Sequence, residues 1–126
     1  MIDGIVNRSG LAEIALIVRG SRGQQLVTRA IIDTGFTGDL TLTKSDIELL
    51  GLASGGTRRG ELADGTLVVF TVHQAVVRWH DREQEVTVLE SNSDSLVGMS
   101  LLQGCRLTID VIPDGKVAVV PLSASP

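Results

Sequence analysis

The residues best suited to chemistry in this chain are Asp33, Thr34 and Gly35, which follow the apolar run Ala30-Ile31-Ile32. A buried strand would carry the Asp33 carboxylate to its end. Thr34 adds a hydroxyl beside it. Gly35 lets the backbone turn away and bring its N–H close to the carboxylate. Two carboxylates held in contact cannot both ionise, so such a pair shares one proton. The pair can take a proton from water as general base and give one to a substrate carbonyl as general acid. Hydrolysis of an amide needs both roles. The sequence holds one Asp-Thr-Gly and no Asp-Ser-Gly. Its other aspartates fall in expected turns, at helix starts or on polar strand faces. The second carboxylate is therefore expected from a second copy of the chain, set against the first by a two-fold axis. The triplet alone is also a common turn, so the elements around it must decide.

Those elements read mostly as short strands. Leu11–Val18 and Gln25–Asp33 flank the turn cluster Gly20-Ser21-Arg22-Gly23 and form a hairpin. Leu40–Thr43 alternates as a strand. Ser45–Leu50 reads as a helix, with Thr43 or Ser45 as cap, Asp46 and Glu48 in the first turn and Gly51 at its end. Gly55-Gly56 reads as a loop. Thr57–Leu62 and Thr66–Val72 form a second hairpin through Ala63-Asp64-Gly65, where Asp-Gly is a strong turn signal. Strand character continues through Gln74–Trp79, breaks at the polar turn His80–Glu83, and returns over Gln84–Leu89. Leu96-Val97 is a short apolar strand ending at Gly98, and Met99–Gly104 has helical spacing. Arg106–Ile112 and Lys116–Leu122 are strands around the turn Pro113-Asp114-Gly115, and the tail Ser123–Pro126 is expected to be loose. The sum predicts an all-β domain spanning residues 1–126, most simply a small closed barrel with one or two short helices.

Composition narrows the function. Apolar residues make up 43% of the 126, but Phe36, Phe70 and Trp79 are the only aromatics, so the core must be aliphatic. Net charge is −4 with scattered basic residues, which excludes a nucleic-acid footprint. Cys105 is the single cysteine and reads as a small core residue. His73 and His80 lie far from it in sequence and read as strand residues facing solvent, so no metal-ligand spacing emerges. Neither a signal peptide nor an apolar run of about 18 residues is visible. The expectation is a cytoplasmic protein without cofactor, metal or membrane partner.

Four segments in order carry a resemblance. Ile31-Ile32-Asp33-Thr34-Gly35-Phe36 resembles the catalytic loop of the retropepsin-like aspartic proteases, the group that contains retroviral proteases and their bacterial relatives. Glu61–Phe70, turning at Ala63-Asp64-Gly65, resembles the flap hairpin. Leu96-Val97-Gly98 with Met99-Ser100-Leu101-Leu102 resembles the second apolar-apolar-Gly element and its helix. Gly104-Cys105-Arg106-Leu107 then enters a strand as that family does. The resemblance covers about Leu11 to Leu122. It implies an acid-protease barrel with a flap hairpin, acting as a homodimeric aspartic endopeptidase on peptide or protein substrates. It implies that Asp33 is catalytic, that Thr34 grips the opposing loop across the axis, and that Gly35 lines the substrate backbone. Ala63, Asp64 and Gly65 would form the flap tip over bound substrate, and Val97 and Gly98 the second loop element.

The sequence also departs from that pattern. Phe36 stands where many members carry a small residue, and Thr37-Gly38 lengthens the loop before Asp39. Met99 replaces a retroviral arginine, so the ion pair from that helix to the catalytic loop should be absent. The terminal dimer sheet of the family does not map readily onto Lys116–Leu122. Two further readings stand beside this one, the first of them motivated by these departures. One is an inactive domain that keeps the fold for binding or scaffolding. The other is a regulator switched on by dimerisation.

Overall fold

A computed structural model of the chain describes residues 1–122; the expected loose tail lies outside the described residues. Ten strands form one sheet, in the order β5-β6-β7-β4-β8-β3-β2-β1-β10-β9. The strands are β1 Ile2–Val6, β2 Ala12–Arg19, β3 Gln25–Ile32, β4 Leu40–Thr43, β5 Ala53–Glu61, β6 Leu67–Trp79, β7 Arg82–Ser91, β8 Ser95–Val97, β9 Cys105–Ile109 and β10 Lys116–Pro121. The helices are α1 Lys44–Leu50 and α2 Met99–Leu102. An extra pairing of Val18 and Arg19 with Val77 and Val76 joins β2 to β6. It closes six strands, β6-β7-β4-β8-β3-β2, into a barrel. The fold is all-β, as the sequence predicts. No helix among the described residues is long and apolar enough to cross a membrane.

The barrel follows from period-2 patterning. Ala12, Ile14, Leu16 and Val18 of β2 point inward and are buried. On the far wall Val77 and Trp79 of β6 and Val86 and Val88 of β7 do the same. Leu40 sits opposite Val88 on one side and Val97 on the other, and its side chain is fully buried. Helix α1 begins where the Thr43 hydroxyl accepts the Asp46 N–H at 3.3 Å, and ends at Gly51 in the left-handed region. Ile47 and Leu50 anchor it to the core.

The structure adds one strand and changes three local expectations. The N-terminal segment is a strand, β1, lying between β2 and β10. Its pattern is broken by Gly4, whose position would put a Cβ 2.0 Å from the Glu13 carbonyl oxygen; the close approach that requires glycine also hides the strand in the sequence. Gly55 and Gly56 belong to β5, as an irregularity in its pairing rather than a separate loop. The turn after β6 is only His80-Asp81, both at positive φ. Strand β9 stops at Ile109, and Val111 and Ile112 lie exposed in the following turn.

Leu40→Ala should destabilise the fold by about 2–5 kcal/mol, because two strands close around that side chain. Leu67→Ala, at an exposed position, should change stability by less than about 0.5 kcal/mol. Urea denaturation of both variants checks the contrast.

Candidate active site

Parallel pairing builds the site. Ala30, Ile31 and Ile32 run alongside Ser95, Leu96 and Val97, so β3 and β8 reach the same end of the barrel together. The Asp33 N–H donates to the Val97 carbonyl at 2.9 Å, one step beyond that ladder. The Phe36 N–H donates to the Asp33 carbonyl at 3.1 Å and closes a turn. Within it the Gly35 N–H donates to Asp33 Oδ1 at 2.9 Å. Asp33 is half-buried, while Thr34 and Gly35 are exposed. Oδ2 of Asp33 has no protein hydrogen-bond partner among the described residues.

The second element locks this loop from behind. The Gly98 N–H donates to the Asp39 carbonyl at 3.0 Å, Met99 N–H to the Phe36 carbonyl at 2.8 Å, and Ser100 N–H to the Gly38 carbonyl at 3.1 Å. A Cβ at Gly98 would stand 2.2 Å from the Gly38 oxygen and 2.8 Å from the Phe36 oxygen. Only glycine admits that approach. Phe36, the bulky departure, lays its ring where Cβ atoms at Gly38 and Gly98 would be, so its effect falls on loop packing. The ion pairs among the described residues, Arg19–Glu83 and Arg29–Glu13, leave this loop untouched, in keeping with Met99 in place of arginine.

Two supports escape the sequence. Asp39 Oδ2 accepts the Thr87 N–H at 2.9 Å and ties the loop exit to β7. The Thr41 hydroxyl accepts the Leu96 N–H at 2.8 Å and donates to the Asp94 carbonyl at 3.3 Å, which positions β8. Both contacts join segments about fifty residues apart, and no local motif announces them.

The hairpin of β5 and β6 turns at Ala63-Asp64-Gly65, a three-residue loop with Gly65 at φ 86°. Leu62 N–H donates to the Thr66 carbonyl at 2.8 Å, and Gly65 N–H to the Leu62 carbonyl at 2.9 Å. Asp64 Oδ1 accepts the Thr66 N–H at 2.9 Å, and hydrogen bonding from Thr66 holds the Asp64 carboxyl below its ordinary value. The bonds that hold the tip are thus those of its own turn. Leu67 and Val69 on this hairpin are 71% and 67% exposed.

At another face, His80 Nε2 lies 3.4 Å from Cys105 Sγ, although 25 residues separate them. His80 and His73 are half-buried rather than turned to solvent as expected: the Nδ1 atom of each is buried without a hydrogen-bond partner among the described residues. Burial pushes the Cys105 thiol up and the His80 imidazole down. Both shifts favour the neutral thiol and the neutral imidazole. The adjoining cavity of about 540 Å³ and another of about 520 Å³ beside Asn7, Val111 and Ile112 are not lined by Asp33.

No protein-family model and no curated protein matches the sequence. A solved structure does match: the crystal structure of a retropepsin-like aspartic protease from Rickettsia conorii, with a TM-score of 0.55. The match covers 96% of this chain and 90% of that one at 17% sequence identity. The chain therefore has a retropepsin-like fold.

Gly98→Ala should cost about 1–3 kcal/mol in chemical denaturation, since backbone oxygens must move to admit the methyl. For His80, a folded value depressed below the ordinary 6.5 means that the unfolded chain takes up the proton first. Its contribution is present above about pH 6.5 and is lost as pH falls through the folded value. His80→Asn tolerates the positive φ and removes this titration. Its melting temperature should fall less steeply than the wild type's on acidification; an identical slope would refute the assignment.

Proposed function

We propose that this chain, folded as a retropepsin-like barrel, is an aspartic endopeptidase working as a homodimer, with each subunit giving one Asp33 to a shared dyad. The observation that carries this reading is the half-buried Asp33 carboxyl at the end of β3, with one oxygen held by the Gly35 N–H and the other without a protein partner among the described residues. A lone carboxyl can serve as base or as acid, but not as both at once. A pair holding one proton serves as both. The fold shared with a protein described as an aspartic protease adds support.

The chemistry then balances as follows. The ionised Asp33 takes a proton from water, and the water oxygen bonds to the peptide carbonyl carbon. The protonated Asp33 of the pair gives its proton to the carbonyl oxygen. The resulting tetrahedral diol collapses: the C–N bond breaks, the nitrogen leaves as an amine carrying a proton relayed by the dyad, and the carbon leaves as a carboxylic acid. Thr34 serves the contact between the two loops across the axis, and Gly35 lies along the substrate backbone. Val97 and Gly98 hold each loop rigid. Ala63, Asp64 and Gly65 sit at the tip of a hairpin that closes over an extended peptide and excludes water. This scheme treats residues 1–126 as one domain acting in the cytoplasm on peptide or protein. It calls on no cofactor, metal, nucleic acid or membrane.

Asp33→Asn should lower cleavage of a diverse peptide library by about a thousandfold or more while leaving the fold intact. Wild-type cleavage should be greatest on the acid side of neutrality and fall as the shared proton is lost. Adding Asp33→Asn subunits to a fixed amount of wild type should lower its activity, because mixed dimers hold one carboxylate. Full activity in purified Asp33→Asn protein sinks the proposal. A folded wild type that cleaves nothing from acid to neutral pH points instead to a binding domain that keeps the fold.

A further inference from the structure

We infer that Glu61, on the inner face of the β5–β6 hairpin, selects substrates with a lysine or arginine side chain beside the scissile bond. The inference rests on the peptidase reading above and names the substrate class of that same site.

Register identifies the inner face. Ala75, Val77 and Trp79 of β6 belong to the barrel core. Strand β6 runs without a break from Leu67 to Trp79, so Leu67, Val69 and Thr71 lie in phase with them. Residues paired across two strands share a face, and the β5 partners of these three are Glu61, Arg59 and Thr57. All of these hairpin residues are exposed. In the closing motion proposed above, the face in phase with the barrel interior is the one brought down on the peptide.

The other face covers itself. Val68 and Phe70 are half-buried and Val72 is buried. The Phe70 ring lies over Gly60, with its Cε2 atom 2.5 Å from where a Cβ would stand. The inner face has no such cover. Leu67 and Val69 stand open beside Glu61 and Arg59, and neither charge takes part in an ion pair among the described residues. Glu61 Oε1 is 3.8 Å from the place of a Cβ on Gly65, so the carboxylate leans toward the turn and away from Arg59.

When the hairpin closes, that carboxylate leaves water, which is costly for an unpaired charge. An apolar substrate leaves it unpaired, and an acidic one opposes it. A lysine or arginine meets both needs of this face. Its methylene stem packs along Leu67, directly across from Glu61, and along Val69, while its charged head reaches the carboxylate. Asp64, the other carboxylate of the turn region, is engaged with the Thr66 N–H. Selection here is the difference between a paired and an unpaired or opposed charge.

The test compares the full chain as wild type, Glu61→Gln and Glu61→Lys, with circular dichroism to confirm folding. The probes are short apolar peptides carrying a single Lys or a single Glu at successive positions around their middle. Cleavage is measured directly, and binding is measured by fluorescence anisotropy with the same proteins on an Asp33→Asn background. With Glu61 intact, the Lys peptides should be favoured over the Glu peptides by about tenfold or more next to the cleaved bond. Glu61→Gln should level that ratio, and Glu61→Lys should reverse it. A ratio that stays the same in every variant, or no Lys preference in either assay, overturns the inference. Binding separates the two proposals. A Lys preference in binding that reverses with Glu61→Lys, in a protein that cleaves nothing, upholds the recognition and fails the peptidase reading. Cleavage with a ratio indifferent to Glu61 does the reverse.

Discussion

The approach of Gly98 to the Phe36 and Gly38 carbonyl oxygens is the contact on which the site depends. Parallel pairing brings β3 and β8 to one end of the barrel, but pairing alone would leave the seven residues from Asp33 to Asp39 as an open loop. Three N–H groups, on Gly98, Met99 and Ser100, turn that loop into a bonded layer over β8 and α2. Once closed, the loop has little freedom in where it holds the Asp33 carboxyl, and the Gly35 N–H fixes one of its oxygens. Positioning of this kind is what acid–base chemistry requires of a scaffold.

The barrel supplies the rigidity that this contact borrows. Strand β4 leaves the loop and inserts between β7 and β8, with Leu40 fully buried at the junction. Asp39 and Thr41 add side-chain bonds to β7 and β8 on either side of Leu40. The loop is therefore tied through its entry strand, its exit strand and the helix behind it. The β5–β6 hairpin contrasts with this. It is held by its own turn and exposes Leu67 and Val69.

What was legible in the sequence is what is local. Asp33-Thr34-Gly35 after an apolar run, Thr43 before a helix and Asp64-Gly65 between alternating segments each carry their structural instruction within a few residues. Phe36 reads as an oddity in isolation and makes sense only with Gly38 and Gly98 beneath its ring. Strand β1 stayed hidden because Gly4 weakens strand character at the point where β2 comes nearest. The His80–Cys105 contact and the Asp39–Thr87 bond depend on how the barrel closes, through β2 and β6, which no window of sequence contains.

The same closure accounts for the distribution of free backbone groups. A six-stranded barrel removes its own edges, yet this sheet continues past the barrel on both sides: β5 extends from β6, and β1, β10 and β9 extend from β2. Ten strands with two remaining edges would invite uncontrolled pairing if both edges were regular. The bulge and charges of β5 suppress one of them. The regular, half-buried β9 leaves the other edge open. In the proposed function, one Asp-Thr-Gly per chain calls for a second copy about a two-fold axis.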